Sequence, residues 1–109
     1  MTQEQVSSGT WIVDPGKQEA FIEAWAAFAG WSSGMPGVGT LRLGRDPGDA
    51  RRFVSFAAWE SAEAAGMWQR APEFQEKLAN AVQHVDEFHS TMFDVVASGA
   101  DGSGVVDAS

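Results

Sequence analysis

The chain has no cysteine and no tyrosine, and it carries seven Lys and Arg residues against fifteen Asp and Glu. The missing cysteine excludes disulfides, thiolate nucleophiles, iron–sulfur clusters and thiolate zinc sites together. Positive charge is scarce and scattered: the formal net charge is −8, and Arg51–Arg52 is the only adjacent basic pair. A phosphate backbone or an anionic bilayer is held by clustered cations, so no nucleic acid and no membrane is expected as a partner. No apolar run approaches the ~20 residues that cross a bilayer. The opening residues, MTQEQVSSGT, have neither the basic nor the apolar stretch of a signal peptide, so a cytoplasmic location is expected. There is no phosphate-binding loop and no GxSxG elbow. Gly37-Val38-Gly39 lacks the third glycine of a dinucleotide fingerprint and precedes a strand instead of a helix.

What is there is aromatic. Five Trp and seven Phe stand in 109 residues. They read either as a core built from large rings or as the walls of an apolar pocket, and composition alone allows both. The length suits one domain with one core. Such a domain buries roughly 60–65% of the surface its unfolded chain exposes.

Punctuation divides the chain clearly. Met1–Ser8 is polar and reads as a flexible N-terminus, and Gly99–Ser109 is small, acidic and Gly/Ser-rich, as disordered tails are. The domain between them is expected over residues 9–98. Gly9–Val13 is a strand candidate. Asp14-Pro15-Gly16 stops it and opens a helix over Lys17–Trp31, where Phe21, Trp25 and Phe28 recur at i, i+4 and i+7. Val38–Arg45 alternates as a second strand, Asp46-Pro47-Gly48-Asp49 is a hairpin turn, and Arg51–Trp59 is a third strand. Glu60–Arg70 reads as a helix, Pro72 opens a further helical stretch to about Gln83, and Phe88–Ala97 closes as a fourth strand. The order βαββαβ predicts an α+β, ferredoxin-like domain: a four-stranded antiparallel sheet with two helices on one face.

Alternation along the third strand adds a partner. Phe53, Ser55, Ala57 and Trp59 point one way, and Arg52, Val54, Phe56 and Ala58 the other, so both faces hold bulky apolar groups. Helices cover one face only, and a free antiparallel face is ordinarily polar. A second copy of the chain is the economical cover, which predicts a homodimer.

Phe53–Phe74, FVSFAAWESAEAAGMWQRAPEF, carries a further signal. Its Phe53, Trp59-Glu60-Ser61, Glu63-Ala64, Pro72 and Phe74 resemble the corresponding stretch of the antibiotic biosynthesis monooxygenase (ABM) domain family, over roughly Thr10–Ser98. The resemblance implies a dimeric α/β barrel that holds aromatic or quinone-like molecules. It implies a monooxygenase that needs no cofactor and acts on a small aromatic, polyketide or quinol-like substrate. In some members an Asn, a Trp and a Tyr act on an anthrone-type substrate. The Trp falls on Trp59, the Asn position is Ser55 and the Tyr position is Ala65; an Arg used on the later helix falls near Leu78–Ala79. One of the four is kept, which leaves a non-catalytic or cyclase-like binding protein as the alternative. A haem-binding branch of the family is a second alternative, but the Asn and His that its haem-degrading members resemble have no counterpart at the matching positions.

The candidate site residues follow. Trp59 and Ser55 are the candidate catalytic groups, and Trp11, Arg42, Phe53, Trp68 and Phe93 are candidates for binding a small aromatic ligand. Arg42 is a fixed cation that could hold a phenolate or carboxylate, on whichever side of the sheet it points. His84, Asp86, Glu87 and His89 place four possible ligands in six residues. His84 and His89 would lie about 140° apart on one helix, so they read as a solvated helix end and no metal site is expected.

Overall fold

The computed structural model describes residues 3–99. Residues 100–109, most of the expected tail, and the first two residues lie outside the described part. The elements run β1 (Gln5–Ile12), a single 3₁₀ turn at Pro15–Lys17, α1 (Gln18–Ser32), β2 (Val38–Asp46), β3 (Asp49–Trp59), α2 (Ala62–Arg70), α3 (Pro72–Val82) and β4 (Glu87–Asp94). All neighbouring strands are antiparallel in the order β2-β3-β1-β4, the ferredoxin-like arrangement.

Local chemistry sets the joints. Asp14 accepts from the Gly16 N–H at 2.9 Å and starts the 3₁₀ turn that leads into α1. Ser61 caps α2, accepting from the Ala64 N–H at 3.0 Å. Ala71 is extended, which ends α2, and Pro72 opens α3 at its first position. The second crossover therefore holds two separate helices, and three helices cover the sheet where two were expected. Pro47–Gly48 alone joins β2 to β3, so both strands run further into the hairpin than their side-chain pattern indicated.

The first strand corrects one boundary. Gln5–Ser8 belong to β1, not to a flexible leader, because β1 lies between β3 and β4 and pairs with both along its whole length. Backbone hydrogen bonding on two sides holds a segment whose side chains are mostly polar.

The covered face packs as two clusters. Trp11, Val13, Phe21, Trp25, Phe53 and Ala81 form one. Phe28, Ala57, Trp59, Ala64, Ala65 and Trp68 form the other, and Leu41 and Leu78 touch both. The opposite face carries Val6, Ile12, Val54, Ala58, Phe56 and Phe93, the last two about half exposed at 49% and 53%. No described helix is long and apolar enough to cross a membrane.

Candidate functional site

A cavity of about 60 Å³ lies between sheet and helices, lined by members of both clusters. The sheet contributes Trp11, Ser55, Ala57 and Phe88; α1 contributes Trp25 and Phe28; α2 and α3 contribute Trp68, Phe74 and Leu78. Ser90 of β4 and Gln69 of α2 also line it and are themselves exposed. Rings pack edge-on around it: Trp68 and Phe74 meet at 4.8 Å and 82°, Phe28 and Phe74 at 5.8 Å and 66°.

Two buried indoles are anchored by serines. Trp11 Nε1 donates to Ser55 Oγ at 2.9 Å, and Trp68 Nε1 donates to Ser32 Oγ at 2.8 Å. Trp59, in contrast, is 1% exposed and its Nε1 has no partner among the described residues. A buried donor without an acceptor costs about 1–3 kcal/mol. Among the described residues, no Asp, Glu, His, Lys or Arg lines the cavity; its polar side chains are serines, one glutamine and the tryptophan indoles.

The structure brings Ser55, Trp11 and Trp68 together and separates the other candidates from them. Trp59 stands behind Trp68, their ring centroids 4.7 Å apart, and faces a different cleft of about 260 Å³ beside Gly37, Val38 and Glu60. Phe53 is a core ring, packed on Phe21 with Arg45 over its face at 5.4 Å. Arg42 pairs in register with Phe56 and lines an open groove with Leu41, Leu43 and Phe53, away from the aromatic cavity. Phe93 sits opposite Val6 on the uncovered face. Arg42, Phe53 and Phe93 therefore do not line the aromatic cavity: strand alternation puts Arg42 and Phe93 on other positions, and Phe53, on the covered face, is taken up by the core around Phe21.

The acidic and histidine run disperses too. Asp86 pairs with Arg51 at 2.9 Å, and His89 lies opposite Thr10 in the sheet. No three His, Asp or Glu side chains converge as a metal site among the described residues. Neither histidine lines the cavity.

Sequence reasoning missed Trp25, Phe28, Phe74, Phe88, Gln69 and Ser90 as lining residues, and Ser32 as the buried acceptor that holds Trp68. Ser32 had a visible signal: it continues the buried stripe Phe21, Trp25, Phe28 at the next helical turn, where a polar residue needs a partner. Phe88 and Ser90 share the covered face with Trp11, which pairs with Phe88.

Comparison with known proteins fits this geometry. The family model described as antibiotic biosynthesis monooxygenase matches residues 8–80. No curated protein matches the chain. Among solved structures, a mutant of SnoaB, a cofactor-independent oxygenase from Streptomyces nogalater, is 20% identical with a TM-score of 0.78, covering 87% of this chain and 95% of that one. A putative antibiotic biosynthesis monooxygenase from Nitrosomonas europaea is 18% identical with a TM-score of 0.76, covering 88% and 93%. A conserved protein from Methanosarcina mazei Go1 is 12% identical with a TM-score of 0.77, covering 84% and 92%. At these identities the likeness speaks for the fold.

Proposed function

Because the chain belongs to the antibiotic biosynthesis monooxygenase family, we propose that it is a cofactor-independent monooxygenase that holds a small aromatic, polyketide or quinol-like substrate in the cavity between its sheet and helices. The observation that carries this reading is the cavity's character: aromatic walls, neutral hydrogen-bond donors and, among the described residues, no ionisable side chain. Such a site suits a substrate that supplies its own acidity. An activated ring CH₂ or phenol loses its proton to bulk water before it binds, and the bound carbanion or phenolate gives its electrons to O₂. A carbon–oxygen bond forms, and the hydroperoxide loses water. A methylene and one O₂ thus become a ketone and one H₂O, with no external reductant. The protein's part is to exclude water, hold the ring and stabilise negative charge on oxygen. Ser55 is the candidate donor at that point, within a wall that Trp11 and Trp68 complete.

The cavity is smaller than the ~150 Å³ that admits a benzene ring. Substrate entry on this reading needs the α2–α3 pair to swing from β4, with the break at Ala71 as the joint. Ser55 and Ala65, where some family members have Asn and Tyr, favour the second reading: a binding or cyclase-like protein using the same cavity.

Oxygen uptake with a panel of anthrones and quinols, with flavin and added metal withheld, tests the choice. One O₂ consumed per substrate oxidised supports the monooxygenase. Saturable binding without uptake across the panel favours the binding protein.

The uncovered sheet face belongs to the same proposal. Phe56 and Phe93 on that face, with Val6, Val54 and Ala58 around them, are met by the same face of a second copy.

A further inference from the structure

Ser55 is anchored from the neighbouring strand β1 by Trp11, and Gly9 leaves that contact its space. Its Oγ accepts from Trp11 Nε1 at 2.9 Å, and both residues are buried. The Trp11 ring is itself clamped, stacked on Phe88 at 4.0 Å and tilted against Phe21 at 5.0 Å. Gly9 pairs with Ser55 across the sheet and leaves the hydrogen bond its space: a Cβ at position 9 would lie 2.8 Å from Ser55 Oγ and 3.0 Å from Trp11 Nε1. An indole N–H only donates, so the Ser55 oxygen must accept from it. The hydroxyl's own proton has no acceptor among the described residues, while Ser55 lines the cavity. A donor left unpaired in a buried site is costly, whereas a spare lone pair is tolerated more readily.

We propose that Trp11 is a positioning residue that commits Ser55 to donating its proton into the cavity, so that the site selects ligands presenting an acceptor oxygen there, a phenolate or a quinone carbonyl. The inference rests on the reading of this cavity as the aromatic site. It adds a direction to that site, since polarisation by the indole strengthens the hydroxyl as a donor. A phenol that keeps its proton is the poorer ligand, and the anion is the better one.

The test uses 4-nitrophenol, whose two protonation states are distinguished by their absorption. Dissociation constants are measured well below and well above the probe's own pKa, for the wild-type protein, Trp11→Phe, Ser55→Ala and Ser55→Thr, each confirmed folded by its unfolding transition. The expected result is a wild-type preference for the phenolate. Trp11→Phe and Ser55→Ala reduce that preference roughly tenfold or more, the effect of one hydrogen bond to a charged group. Ser55→Thr keeps most of it, because the hydroxyl remains. A phenolate preference that Trp11→Phe leaves unchanged overturns the inference and leaves the cavity reading standing. Absence of binding to every protein, both of 4-nitrophenol and of larger quinols titrated directly, overturns both. If Trp11→Phe does not fold, the contrast between Ser55→Ala and Ser55→Thr decides: equal preference in the two overturns the role of the hydroxyl.

Discussion

At the scale of single residues, the buried tryptophans Trp59 and Trp68 differ in what holds their N–H groups. Trp68 has Ser32 as acceptor, and Trp59 has none among the described residues. Their replacements by Phe should therefore differ although the volume lost is the same. Trp68→Phe leaves the buried Ser32 hydroxyl without its partner, adding about 1–3 kcal/mol to the packing loss. Trp59→Phe removes an orphan donor, so relief offsets part of the packing loss. Chemical unfolding should show Trp68→Phe to be the less stable by at least about 1 kcal/mol. Equal stability would mean that Trp59 Nε1 has found a partner, a bound water for example. Trp59→Phe also tests Trp59 in function. Its ring stands behind Trp68 and away from the cavity, so turnover per folded molecule should change less for Trp59→Phe than for Ser55→Ala.

At the scale of elements, the joint between β2 and α2 is a tight point. Gly37 has φ of +80°, and a Cβ there would lie 2.7 Å from the Ala64 Cβ of α2. The Gly37 carbonyl also accepts from the Glu60 N–H at 2.9 Å. Gly37→Ala should destabilise by about 2 kcal/mol or more, since strain and overpacking add. Gly30, inside α1 with nothing within 4 Å of an added Cβ, gives the opposite sign: Gly30→Ala should stabilise by up to about 1 kcal/mol. Thermal unfolding of the two variants checks both; a destabilised Gly30→Ala would contradict the packing described for α1. Elements of this kind were legible in the sequence where side chains decide them. Phe21, Trp25 and Phe28 announced α1, Pro72 the start of α3, and the alternation from Phe53 to Trp59 the two faces of β3. Gln5–Ser8 were not legible as strand, because pairing on both sides holds them and their side chains give no pattern. The site was legible in its type, an aromatic-walled space with Ser55, Trp11 and Trp68. Its membership was not: whether Trp59 or Trp68 faces the cavity depends on how α2 lies on β3, and Arg42 and Phe93 depend on register across strands.

At the scale of the whole molecule, the sheet has one face buried by helices and one carrying half-exposed Phe56 and Phe93. On the proposed dimer, Phe56→Glu sets two like charges into a self-complementary apolar patch. Light scattering should then report a monomer where the wild-type protein reports a dimer; a monomeric wild type would contradict the dimer directly. The whole cavity also sets the pH dependence. With no ionisable side chain among its described lining residues, the rate should rise with pH through the substrate's own pKa. On the proposed mechanism the rise is upward, because the deprotonated substrate would be the form that reduces O₂. Substrates of different acidity should shift the profile in step, and a midpoint common to all of them would reveal a protein base. The central claim is that the cavity directs O₂ onto an aromatic substrate unaided. Isotopically labelled dioxygen tests it most directly, with metal- and flavin-free protein, an anthrone substrate and mass analysis of the product. The account predicts one labelled oxygen in the product ketone and the other in water, at a rate that depends on Ser55. Label absent from the product, or incorporation that needs added flavin or metal, would contradict it.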